Sequence, residues 1–280
     1  MSWLTDIIEW LLSLFNGGGS SGPVKIGDHV FMPLFYRNTG GNPDSTWGYL
    51  SKSDAEREHL RNTIKSDAES DETCAICFCL TPDNINGGLI GNSMAMVSEA
   101  SLTVIEAHCK KLVESNIAVF ICLYVDDPNG NMPRWWEIEK HLNIWIAVHN
   151  RIKSYVTGYI LAIESNEKGN QGSIQHCIQK MRDNLPGVDF YGTHLQWKSG
   201  GAYSWSGGNA PSNANIILME TRNDPHSDVS AGFVMGDYNE VKGSNPNLNF
   251  IVHEYNLNVD SSNFKATRAA LRNSNAWGVG

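Results

Sequence analysis

Charge is scarce in this chain. Of its 280 residues only 18% are Asp, Glu, Lys or Arg, against about 25% in an ordinary soluble domain. What charge there is leans acidic: 21 Lys and Arg face 30 Asp and Glu, for a formal net charge of −9. A surface of that sign repels phosphate groups, which argues against nucleic acid and anionic lipid as partners. Neutral polymers such as sugars stay open. Long apolar runs are missing as well. The mostly apolar stretch at residues 3–15 is well short of the roughly 20 residues a membrane-spanning helix needs, so no transmembrane span is expected. The first apolar strand runs into Phe35-Tyr36-Arg37-Asn38. Neither G-x-G-x-x-G nor G-x-x-x-x-G-K-[ST] follows it, so it has no phosphate-cradling loop. Cysteine is confined to positions 74, 77, 79, 109, 122 and 177. Cys74 and Cys77 form a single C-x-x-C, and no second pair completes a tetrahedral zinc set. Buried, reduced thiols are the expectation, pointing to a reducing compartment. No cofactor is implied.

What is present suffices for a large core. Hydrophobic residues make up 41% of the chain, which excludes wholesale disorder. The length suits either two average domains or one closed α/β barrel of roughly 250 residues. The N-terminus stands apart. Residues 3–15 (WLTDIIEWLLSLF) carry only Asp6 and Glu9 as charges, and a Gly/Ser run at 17–22 follows. Trp3, Ile7, Trp10, Leu11 and Leu14 share one helical face. With no basic n-region and no small-residue cleavage site, the segment does not read as a signal peptide. A cytoplasmic or particle-associated (virion) location fits that. Two readings stand. In one, residues 1–16 dock on a protein or membrane interface through a flexible tether. In the other, they form a helix that covers the bottom of the main domain. The division is thus 1–22, helix and linker, and 23–280, a single catalytic domain.

Within 23–280, strand and helix alternate. Apolar runs at 29–36, 74–80, 118–125, 157–163, 188–194, 215–219, 249–253 and 276–279 are rich in Val, Ile, Phe and Tyr. Most are bounded by Gly, Pro, Asn or Asp, as strands are. Between them lie helical patterns. Ser53-Asp-Ala-Glu56 is a capping box opening a helix to about 66, and residues 94–115 repeat apolar positions near a 3.6 period. A helix follows Pro133 to about 153, and others cover 173–183, 228–241 and 262–272. Alternation of this kind gives parallel strands with right-handed crossovers. Eight of them fit a (β/α)8 barrel lacking its C-terminal eighth helix, with an open doubly wound sheet as the alternative.

A barrel places its active site at the C-terminal ends of the strands. The polar and aromatic residues leaving them are Tyr36 and Arg37; Asp126 and Asp127; Glu164, Asn166 and Glu167; His194, Gln196 and Trp197; Glu220 and Arg222; His253, Glu254, Tyr255 and Asn256; and Trp277. This is an acidic cup with an aromatic rim. Rings stack on pyranose faces, and carboxylates and amides take the hydroxyls, so such cups suit carbohydrate. Cleaving a glycosidic bond needs two carboxyl groups, one on each side of it. Asp126-Asp127-Pro128 reads as a turn rather than a cation site. Trp135 and Trp136 open a helix with one ring in the core and the other at the rim. Trp197, Tyr203 and Trp205 lie in or beside the Gly/Ser-rich loop 198–213 and read as ligand grips.

Two motifs carry a family resemblance. GYILAIESNEKG (158–169), with Asn166-Glu167 after the fourth strand, resembles the acid/base motif of the clan A retaining glycosidases, such as the cellulase- and mannanase-like enzymes. FIVHEYN (250–256) is similar to that clan's nucleophile strand, and AWG (276–278) to its eighth strand. The resemblance implies Glu167 as general acid/base and Glu254 as nucleophile. It also implies that Asn166 contacts the sugar 2-hydroxyl and that Trp277 floors the central subsite. Arg37, His194, Trp197, Trp205 and Glu220 complete the expected substrate contacts, with Glu164 supporting the acid/base. There are departures. Clan members commonly carry a Glu three residues before the Asn, whereas Glu164 stands two before it; Lys168 replaces a frequent proline; and no arginine follows the second strand. The alternative reading is a barrel that binds carbohydrate without cleaving it, docked to a larger assembly through its N-terminal peptide.

Overall fold

Runs of seven or eight apolar residues without polar alternation can be buried on both faces, and here they close a cylinder. The computed structural model describes residues 22–33, 35–36, 44–45, 49–80, 97–125, 134–196, 210–221, 229–253, 261–274 and 276–279. Its strands are β1 (His29–Phe31), β2 (Glu72–Cys79), β3 (Ala118–Tyr124), β4 (Val156–Ala162), β5 (Phe190–Leu195), β6 (Ile216–Glu220), β7 (Asn249–His253) and β8 (Gly278–Val279). Each pairs in parallel with the next, and β1 pairs with both β2 and β8. The barrel is therefore closed, and the open sheet is excluded. β3 and β4 are buried at every position.

The helices are α1 (Asp54–Asp67), α2 (Glu99–Glu114), α3 (Ile138–Ile152), α4 (Gln171–Asn184), α5 (Ala231–Ser244) and α6 (Ser262–Asn273). Their starts follow the caps that the sequence offers. Ser53 and Glu56 form the reciprocal capping box of α1, and Ser98, Asn170 and Ser261 cap α2, α4 and α6. Each satisfies backbone N–H groups that a helix start leaves open. Among the described residues no helix joins β5 to β6.

Two expectations need correction. The first strand does not run to Tyr36: Phe35–Tyr36 pairs antiparallel with Asp44–Ser45 in a separate two-stranded ladder. Pro33 marks the break: Val30 and Met32 donate toward β8, and Pro33 has no N–H to offer toward β2 on the other side. The second correction concerns Trp277. Its ring packs 5.0 Å from that of Phe190. Phe190 opens β5 and Trp277 precedes β8, strands that are not neighbours, so the contact crosses the lumen at the N-terminal end. Trp277 is a plug of the barrel floor, at the opposite end from the catalytic face. Gly158 makes room for this floor, since a Cβ there would lie 2.7 Å from the Phe120 ring and 2.8 Å from Phe190 Cβ.

The floor is tied together by charge. Arg272 bonds Asp71 at 2.7 Å and Glu72 at 2.8 Å, and Arg268 pairs with Glu72 while its guanidinium lies 4.3 Å over Phe31. This clamps α6 to the start of β2 across the short β1. Nearby, Lys25 pairs with Asp189 and the Val24 carbonyl accepts from Thr157, so the chain enters beneath β4 and β5. All six cysteines are buried, as expected, and none forms a disulfide. Among the described residues no helix is long and apolar enough to cross a membrane, and no three His, Cys, Asp or Glu side chains gather into a metal site. Residues 1–16, read either as a docking peptide or as a cover for the barrel, lie outside the described residues.

Candidate active site

Side-chain alternation decides which residues reach the lumen. On β5 the Tyr191 hydroxyl bonds the Leu185 carbonyl and its ring lies 4.8 Å under Arg182, so Tyr191 faces the helices. Phe190, Gly192 and His194 then face inward. On β4 the Tyr159 hydroxyl bonds His149 of α3, which gives the interior to Gly158, Ile160 and Ala162. On β6, Leu218 pairs with His194 in register, so Glu220 shares the inner face and is buried. The C-terminal ends of β4, β5 and β6 thus deliver Glu164, His194 and Glu220 to one mouth.

Glu164 is the unusual member. Its backbone is left-handed, at φ 43° and ψ 39°, which costs a non-glycine residue on the order of 1 kcal/mol. Contacts with β5 hold it there. Its N–H donates to His194 Nδ1 at 2.8 Å, and its Oε1 accepts from Gln196 Nε2 at 3.0 Å. The Ser165 hydroxyl donates to the His194 carbonyl and accepts from Thr193 Oγ1. Asn166 closes the clamp: its Nδ2 donates to the Gln196 carbonyl at 2.6 Å, and its Oδ1 accepts the Gln196 N–H at 2.9 Å. The Asn166 carboxamide, expected at the sugar 2-hydroxyl, is thus engaged with the main chain of Gln196, just past the end of β5. His194 is fully buried, and the loss of solvation pushes its pKa down to about 3. It is neutral, and the N–H that it accepts at Nδ1 leaves the ring proton on Nε2.

Glu167 lies on the single helical turn Ser165–Lys168, half-buried, with its N–H donating to the Glu164 carbonyl. Two residues later Gly169 has reached the helical layer, where a Cβ would lie 2.1 Å from the Trp135 ring. Trp135 is buried, while Trp136 is 41% exposed, with the Arg134 guanidinium 5.6 Å over its ring. The two indoles pack edge to face. One of the two tryptophans is therefore in the core, as expected, and the other is at the surface. Arg37, Asp126, Asp127, Trp197, Tyr203, Trp205, Arg222, Glu254, Tyr255 and Asn256 lie outside the described residues. Sequence reading missed the role of Gln196 as the Glu164 ligand. The His194-x-Gln196 alternation was the available signal, because two residues apart on a strand share a face. A cavity among Pro211, Ala214, Asn245, Pro246 and Leu248 opens where β6 and β7 begin, at the far end from these carboxyls.

No family model matches this chain, and no curated protein matches it by sequence. Solved structures do match its fold. GH5_18 from Bifidobacterium longum subsp. longum superposes with a TM-score of 0.60 at 10% identity, over 90% of this chain and 69% of that one. Endo-glycoceramidase II from Rhodococcus sp. gives 0.58 at 11% identity, over 92% and 74%. PbGH5A, a glycoside hydrolase family 5 enzyme from Prevotella bryantii, gives 0.54 at 10%, over 83% and 78%. The fold is that of the family 5 glycoside hydrolases. These belong to clan A, the group that residues 158–169 and 250–256 resemble. At such identities the likeness concerns the barrel and its strand order.

Proposed function

We propose that this chain is a retaining glycoside hydrolase acting on the O-glycosidic bonds of a poly- or oligosaccharide. The observation that carries this is the carboxyl-bearing turn after β4, fixed at the C-terminal mouth by β5, in a barrel whose β7 ends one residue before Glu254. Glu254 supplies the nucleophile, and a carboxyl from the 164–167 turn supplies the acid/base; the motif resemblance favours Glu167. The two carboxyls of a retaining pair lie about 5–5.5 Å apart, too close to admit the water that inverting enzymes activate. Glu220 stands at the cup, with His194 buried behind it as the anchor of Glu164, and Arg37, Trp197 and Trp205 are proposed sugar contacts around it. A variant of GH5_18 has been solved with Manβ1-4GlcNAc, and an endo-glycoceramidase shares the fold, which supports an oligosaccharide or glycoconjugate as substrate.

The test is incubation with a panel of polysaccharides and glycoconjugates, with detection of new reducing ends and NMR of the first-formed anomer. New ends with retained configuration support the proposal. An inverted anomer refutes the retaining mechanism. Saturable binding of a sugar without cleavage moves the chain to the non-catalytic reading.

A further inference from the structure

We infer that Glu164, rather than Glu167, is the carboxyl that protonates the leaving oxygen and later deprotonates the attacking water. This rests on the chain being a retaining glycoside hydrolase. Three features carry it. First, Glu164 follows the inward-facing Ala162 just past the end of β4, and its carboxylate meets the amide of Gln196, the residue just past the end of β5. It therefore stands where the lumen opens. Glu167 lies further along, on a turn whose chain is already leaving for the helical layer against Trp135.

Second, the left-handed backbone of Glu164 is held from several sides. A non-glycine residue keeps such a conformation only where its surroundings over-determine it, and such positions cluster at functional sites. Here His194 takes the N–H, Ser165 is bonded to the His194 carbonyl, and Asn166 grips both main-chain groups of Gln196. Third, Gln196 has its own main chain fixed by that grip, so its amide presents to Glu164 Oε1 at a set angle and orients the carboxyl. Asn166, His194 and Gln196 are then positioning residues: they act on the reaction through Glu164.

The proton and bond changes balance. In the first step a Glu254 oxygen bonds to the anomeric carbon while the bond from that carbon to the leaving oxygen breaks. The leaving oxygen keeps the electron pair and takes the Glu164 proton. In the second step the ionised Glu164 takes a proton from water as the water oxygen bonds to the anomeric carbon and the Glu254 ester bond breaks. Both carboxyls return to their starting state.

The experiment compares Glu164→Gln, Glu167→Gln and the unmodified chain on 2,4-dinitrophenyl and phenyl glycosides of one sugar, chosen from glucosides, mannosides and cellobiosides. A dinitrophenolate leaves without protonation and a phenolate does not. For Glu164→Gln we expect a loss of about 10²–10⁴-fold on the phenyl glycoside. On the dinitrophenyl glycoside we expect a product burst, and sodium azide should speed turnover and yield a glycosyl azide of retained configuration. Glu167→Gln should show neither the selective loss on the phenyl glycoside nor the azide rescue. The same signature at Glu167→Gln, with Glu164→Gln behaving normally, overturns the inference and leaves the hydrolase reading intact. If Glu164→Gln fails to fold by circular dichroism, Glu164→Asp replaces it. That variant should move the alkaline limb of the kcat/KM profile, and an unmoved limb also overturns the inference. An unmodified chain that cleaves none of the glycosides and none of the polysaccharide panel removes both readings together.

Discussion

The backbone N–H of Glu164 donates to Nδ1 of His194 at 2.8 Å, so a buried imidazole on β5 holds the strained turn that ends β4. This bond exists only while His194 is neutral, because a protonated ring has no lone pair at Nδ1.

Stability should therefore depend on pH through His194. Burial lowers its folded pKa to about 3, against about 6.5 in an unfolded chain. The unfolded state binds the extra proton, so the His194 contribution is fully present above about pH 6.5 and is lost as pH falls from there toward 3. The slope is at most about 1.4 kcal/mol per pH unit. Urea unfolding between pH 4 and 7 is the measurement, comparing the chain with His194→Gln. The variant should lack this component of the acid slope. Parallel slopes would mean that His194 is not held neutral by the fold.

Asn166→Ala should lower stability, not only sugar binding. It removes two buried hydrogen bonds to the Gln196 main chain, each worth about 1–3 kcal/mol once the partner is left buried and unpaired. Thermal unfolding of the free protein would show a drop of several degrees. An unchanged Tm with a raised KM would instead return Asn166 to the sugar.

The adjacent tryptophans should separate cleanly. Trp135→Ala empties the space between Gly169 and α4 and should cost about 3–5 kcal/mol of stability. Trp136→Ala, at a half-exposed ring, should leave Tm nearly unchanged. Trp197→Ala and Trp205→Ala are expected to raise KM more than they lower kcat, as stacking is worth about 1 kcal/mol beyond area burial. Loss of kcat at constant KM in those two would place their rings away from the sugar.

A chain beginning at Pro23 tests the N-terminal segment. If residues 1–16 are a docking peptide, that shorter chain should fold with an unchanged Tm and keep its activity. The Val24 and Lys25 contacts beneath β4 and β5 remain in it. Aggregation, or a Tm lower by ten degrees or more, would assign the segment to the barrel floor.

The order of elements was legible in the sequence because its causes are local. Apolar runs flanked by Gly, Pro and Asn became strands, and Ser53, Ser98 and Ser261 each capped a helix by bonding an N–H three residues on. Pro33 was legible in principle, since its missing donor acts where it stands. Which end of the barrel a side chain occupies was not local. AWG reads as the end of a strand, yet pairing of Gly278 with both Ile251 and Val30 slides Trp277 to the floor. Register is set by partners far away in the chain, and it moves every residue of a strand at once. The carboxyl choice has the same origin. Glu164, Asn166 and Glu167 differ by one to three positions in sequence, and the helical turn that separates their roles is held by Thr193, His194 and Gln196, about thirty residues on. Composition and pattern determined that this chain builds an acidic, parallel barrel. Only the packing of β5 against the end of β4 decided which carboxyl meets Gln196 at its mouth, because that depends on hydrogen bonds formed after the strands are in register.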